Sequence, residues 1–148
     1  MTARRLAAVL ALAVLAVSCN RNDDDTTTSD SSPTSPSSAT FTTRFYTGVI
    51  DSGGSRFYSF NVSVAGPVTV TLASITNANT GLPLGRPLRV GVGRPQGTGC
   101  AVASTAVVDA ALVMQLAHLA PAGINCIEVA DTVGLAGPIR FALRFTHP

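Results

Sequence analysis

Three stretches of strict alternation dominate the pattern of apolar and polar positions. Ile139, Phe141, Leu143 and Phe145 alternate with Arg140, Ala142, Arg144 and Thr146; Tyr58, Phe60, Val62 and Val64 with Ser59, Asn61 and Ser63; Val68, Val70 and Leu72 with Thr69 and Thr71. An extended chain points successive side chains to opposite faces, so each stretch reads as a strand with one face in a core and the other wet. From Phe41 onward the rest has the same texture: short runs rich in Val, Thr, Ile and Phe, bounded by Gly, Pro, Asn and Asp, at the spacing of an all-β sandwich. It predicts about eight antiparallel strands, over residues 43–50, 55–64, 67–75, 87–92, 100–108, 110–119, 124–130 and 138–146.

Between Ala101 and Leu119 the Ala, Leu, Val, Met and Gln residues also support a helix by propensity. The β-branched pair Val107-Val108 and the turn candidate Asp109-Ala110 favour a hairpin instead, in which Leu112, Met114 and Leu116 point inward. Gly91-Val92-Gly93-Arg94-Pro95-Gln96-Gly97 mimics a dinucleotide-binding loop, but Pro95 and the lack of a following helix leave it a loop with Gly turns.

Residues 1–40 have another character. Arg4 and Arg5 precede the apolar run Leu6 to Val17, which is shorter than the roughly 18 to 20 residues that span a bilayer as a helix. A charged start, a short apolar stretch and a small residue before a cut make a secretory signal over residues 1–18. The end of that run, Leu15-Ala16-Val17-Ser18-Cys19, resembles the lipobox of bacterial lipoproteins, which implies that Cys19 is diacylated on sulfur and becomes the first residue after cleavage. Asn20 is not the Asp that retains some lipoproteins at the inner membrane, so the resemblance points to the outer membrane. Residues 20–40, NRNDDDTTTSDSSPTSPSSAT, hold nothing apolar larger than Ala and read as a flexible tether. The domain proper is 41–148.

Composition narrows the function. The chain has no Lys, no Trp and one Glu, Glu128; beyond residue 18 its eight arginines balance eight acids, and no basic block offers a nucleic-acid footprint. With Cys19 consumed by lipid, Cys100 and Cys126 form an even pair in an exported chain, which predicts a disulfide. Two cysteines without CxxC spacing and with remote histidines do not make a zinc site. The run Asp23-Asp24-Asp25 lacks the fixed loop that calcium needs; the Asp131-Thr132-Val133-Gly134 turn leaves calcium open but supplies too few oxygens to assign it. Asp131 is expected to cap its own backbone there.

The string Gly54-Ser55-Arg56-Phe57-Tyr58-Ser59-Phe60-Asn61-Val62, followed by Ala65-Gly66-Pro67-Val68-Thr69-Val70-Thr71-Leu72, resembles the bacterial pre-peptidase C-terminal domain, as do Gly123 to Val129 and Phe141 to Phe145. The resemblance covers residues 41–148. It implies a jelly-roll-like β-sandwich and an accessory role in secretion, attachment or substrate binding beside exported enzymes.

Catalytic chemistry finds little footing. The bases are His118, inside an apolar run, and His147, near the chain end where strands fray. A hydrolase would have to be built on His118 with Asp109, Asp131 or Ser104, and nothing in their spacing suggests it. The outward residues Arg140 and Arg144, on one face of the last strand, are the candidates for contact with a partner. The sequence therefore predicts a membrane-anchored, non-catalytic module of the bacterial envelope that binds a protein or a polysaccharide and uses no cofactor, metal or nucleic acid.

Overall fold

The structure, a computed structural model, describes residues 39–148. The signal peptide expected at 1–18, the lipidation expected at Cys19 and the tether expected from residue 20, as far as residue 38, lie outside the described residues. Eight strands follow in order: β1 (Thr42–Ile50), β2 (Ser55–Val62), β3 (Gly66–Asn77), β4 (Leu88–Gln96), β5 (Gly99–Val108), β6 (Leu116–Ala120), β7 (Gly123–Ala130) and β8 (Ile139–His147). They build two four-stranded sheets, the first ordered β1-β8-β3-β6 and the second β2-β7-β4-β5, and every pairing is antiparallel.

The pairing explains the topology. β1 pairs with β8, β2 with β7, β3 with β6 and β4 with β5, so the chain is one long antiparallel hairpin whose tip lies between Gln96 and Gly99. Gly97, at φ 56°, supplies the left-handed residue such a tight tip favours. The hairpin is rolled so that β8 also meets β3 and β7 also meets β4, which is the jelly-roll sandwich. The core lies between the sheets: Ile139, Phe141, Leu143 and Phe145 of β8 and Val68, Val70 and Leu72 of β3 face Phe60 and Val62 of β2, Leu88, Val90 and Val92 of β4, and Ile127 and Val129 of β7. All three alternating stretches read from the sequence put their apolar side inward, except that Val64 lies beyond the end of β2 and is exposed.

Four expectations need correction. The segment 110–119 is neither a helix nor the second arm of a hairpin: β5 and β6 belong to different sheets, and residues 109–115 carry the chain across. β3 takes up that connection, with Ala111 N donating to Leu72 O at 2.9 Å and Gln115 N to Val70 O at 3.0 Å. Of the three side chains expected inward, only Leu116 is buried; Leu112 and Met114 are exposed. Gly91 to Gln96 is strand, not loop. A side chain at Gly91 would collide with Val102, and one at Gly93 with the Ala101 carbonyl, so these glycines let β5 press onto β4 where their register shifts. His147 does not fray; it ends β8, 4% exposed, packed between Phe60 and Phe145.

One side of the sandwich is closed by side chains. Tyr46 and Tyr58 stack at 4.4 Å between β1 and β2. The Tyr58 hydroxyl donates to Thr47 O at 2.8 Å, that of Tyr46 to Ser59 O at 3.4 Å, and Arg56 to Val49 O at 3.4 Å. Burial lifts the Tyr58 phenol above its ordinary range, with Arg56 opposing and Tyr46 adding to the rise, which keeps that donor protonated. The expected bridge joins Cys100 of β5 to Cys126 of β7, with Cα atoms 5.9 Å apart.

Candidate functional site

The outer face of the first sheet carries the residues singled out for contact. Inward Phe141, Leu143 and Phe145 leave Arg140 and Arg144 pointing out, both exposed. The register sets Val49, Arg140 and Thr76 in one row, Phe45, Arg144 and Thr71 in a second, and Thr43, Thr146 and Thr69 in a third. A depression of about 380 Å³ lined by Thr47, Val49, Ser74 and Arg140, with Phe141 at its side, meets at Ser74 a second of about 570 Å³ lined by Thr76, Pro83, Leu84 and Asp109. Among the described residues the ion pair is Arg89 with Glu128, on the second sheet, so neither Arg140 nor Arg144 is matched by a carboxylate.

Arg144 has a further task. Its guanidinium donates to Leu112 O at 3.2 Å and so holds the 109–115 connection against the face. Gln115 holds the same connection from within: its Oε1 accepts from Leu72 N at 2.6 Å while its Nε2 donates to Asp109 O. Beneath the connection Thr71 is buried, and a small depression of about 140 Å³ remains between Thr43, Thr71, Met114 and Arg144. What the clamp displays is apolar: Leu112 is 80% exposed, Val113 68% and Met114 57%. Sequence reasoning missed this tip because apolar residues at Leu112, Met114 and Leu116 fit an inward strand, whereas contacts from β3 and Arg144 hold the connection with the first two turned out.

The other candidates fall elsewhere. His118 projects from β6, half-buried, and its Nδ1 lies 3.0 Å from the Ser104 hydroxyl of β5. Among the described residues no carboxylate completes the pair: Asp109 is exposed just past the end of β5 and Asp131 is engaged at the β7–β8 loop. Neither Ser104 nor His118 lines the depressions just described. Asp131, 3% exposed, caps its loop as the turn predicted and does more. Its Oδ1 accepts from Val133 N and Gly134 N at 3.1 and 3.0 Å, and its Oδ2 from Leu135 N at 2.7 Å and from Gly53 N, at the adjoining start of β2, at 2.8 Å. Burial pushes this carboxyl up, but four backbone donors outweigh it and hold it below the ordinary range. With both oxygens committed to N–H groups, Asp131 is a structural anchor. Among the described residues no three His, Cys, Asp or Glu side chains gather as a metal site would require.

No family model and no curated protein matches this chain. Among solved structures it is similar to PliG of Aeromonas hydrophila, described as a periplasmic lysozyme inhibitor of g-type lysozyme, at 15% identity and a TM-score of 0.43, over 70% of this chain and 85% of that one.

Proposed function

We propose that this protein is a non-catalytic binding module of the bacterial envelope, held to a membrane by acyl chains on Cys19 and contacting a protein or polysaccharide partner through the outer face of its first sheet. The observation that carries the reading is the pair of depressions meeting at Ser74 beside the unmatched Arg140. A small set of hydroxyls, the Asp109 carboxylate and the Arg140 guanidinium in a shallow groove suit recognition of a chain-like partner. Kinship with the pre-peptidase C-terminal domain belongs to the same proposal, since an accessory β-sandwich would act by contact alone.

Two experiments test it. Changing Cys19 to Ala should move the protein from the membrane fraction to the soluble one; unchanged fractionation removes the anchor from the reading. Residues 39–148, immobilised and offered envelope extract and a glycan array, should retain a partner that Arg140→Ser releases while thermal stability stays the same. Capture indifferent to Arg140→Ser would exclude this face.

A hydrolytic reading has one observation in its favour, the 3.0 Å contact of Ser104 with His118. Among the described residues no carboxylate is hydrogen-bonded to that histidine to orient it. Turnover of an ester substrate abolished by Ser104→Ala would establish it.

A further inference from the structure

The apolar tip of the 109–115 connection is left unused by that groove. Three consecutive large apolar side chains, Leu112, Val113 and Met114, stand in solvent although their backbone is fixed at both ends, by Ala111 N to Leu72 O and Gln115 N to Val70 O, and in the middle by Arg144. Their exposure is therefore built in by the hydrogen bonds, and an apolar patch so held marks a contact.

The chemistry of the patch selects its partner. The depression behind the tip is lined mostly by threonines and Arg144, so it is no apolar socket for a partner's side chain. Apolar contact is made by the tip entering its partner rather than by a partner entering the protein. Leu and Val are under-represented among the residues that dominate protein–protein contacts, where Trp, Tyr and Arg lead; the tip has no aromatic residue. Arg144 stands directly behind it with guanidinium donors to spare, since one of five goes to Leu112 O. Arg140 lies on the same face, four residues along β8, or roughly 14 Å at strand spacing. Asp109 stands at the base of the connection, and neither arginine forms an ion pair among the described residues. An apolar tip backed by arginine is the arrangement of a surface that lies in the membrane interface, apolar groups about 5 to 10 Å deep and cations at the phosphates.

We propose that Leu112, Val113 and Met114 insert into the boundary of a phospholipid membrane, with Arg144 meeting the headgroup phosphates. The inference rests on the anchored-module reading in one respect: 22 residues separate Cys19 from Thr42, where β1 begins in this same sheet. Acyl chains on Cys19 would hold the domain near the bilayer, so that a weak insertion suffices to seat it. The Arg140 groove, further along β8, stays free for the partner.

The test uses residues 39–148, which contain both sheets and the disulfide and lack Cys19, so that the outcome is independent of the anchor. The chain has no Trp, and Val113→Trp therefore provides a single reporter. With vesicles of phosphatidylethanolamine and phosphatidylglycerol its emission should shift to the blue and be quenched by brominated acyl chains. Co-sedimentation of the otherwise unaltered domain with those vesicles should fall at least about tenfold when Leu112, Val113 and Met114 are all changed to Ser, and less when Arg144 is changed to Gln. Emission unaltered by vesicles, or sedimentation indifferent to the triple change, overturns the proposal. So does a self-association in the absence of lipid that the triple change abolishes, because the tip would then be a protein contact. Loss of partner capture on Arg140→Ser with insertion intact would separate the two sites.

Discussion

A single carboxylate ties the two ends of the second sheet's edge pair together. Asp131 reaches Gly53 before β2 and three donors after β7, so each oxygen serves two N–H groups. Asp131→Asn preserves the shape but turns one amide N–H₂ toward two donors, and we expect a loss of about 2 to 4 kcal/mol in denaturant unfolding at neutral pH. Because the folded-state pKa lies below the unfolded value, its contribution is present above the ordinary Asp pKa of about 3.9 and is lost as pH falls through the folded value. The gap between the native and Asn proteins should therefore narrow below about pH 4; a gap that stays constant into acid would assign the effect to another group. Gly93 illustrates a different constraint. A Cβ there would stand 2.0 Å from the Ala101 carbonyl oxygen, which belongs to backbone and cannot rotate away. Gly93→Ala should cost more than about 3 kcal/mol or fail to fold, whereas the same change at exposed Gly85, which has open space around it, should be near neutral in thermal melts.

At the scale of elements, the alternating strands were legible because their own pattern states which side is buried, and β2, β3 and β8 needed no neighbour to be read. The 109–115 connection was not legible. Its residues suit a strand, a helix or a loop, and the choice is made by β3, whose Leu72 N is left free for the Gln115 carbonyl oxygen. Gln115→Ala removes that acceptor and the return bond to Asp109. It should raise hydrogen exchange across residues 109–115 by one to two orders of magnitude while amides of β7 and β8 keep their protection, with a stability loss of about 1 to 3 kcal/mol. Uniform exchange across the domain would show that the connection is no separate unit.

For the whole molecule, the rolled hairpin brings β5 and β7 close enough for a covalent link that neither strand pairing supplies. Closing 26 residues between Cys100 and Cys126 is worth about 3.5 kcal/mol on the chain-entropy model. Replacing both cysteines by Ala should lower the unfolding free energy by about that much, read as a shift in denaturant midpoint without a change in slope. A larger slope would mean that the bridge acts by compacting the unfolded chain in ways the simple model omits. The closed side at Tyr46 and Tyr58 and the apolar tip at the opposite edge of the first sheet also belong to this scale, since both depend on which strands the roll leaves at the edges.

What the sequence determined by itself was whatever local pattern encodes: the all-β class, the inward faces of the alternating strands, the even cysteine pair, and Arg140 and Arg144 on the wet side of the last strand. Period-two patterning carries that information because the two faces of one strand meet different solvents. Tertiary structure alone decided the order of strands, the burial of His147, the meeting of Ser104 with His118 and the outward turn of Leu112 to Met114. These depend on partners far away in the chain: backbone bonds of Ala111 and Gln115 to β3, the Gln115 side chain and Arg144 together fix the connection in a conformation that leaves Leu112 to Met114 outside.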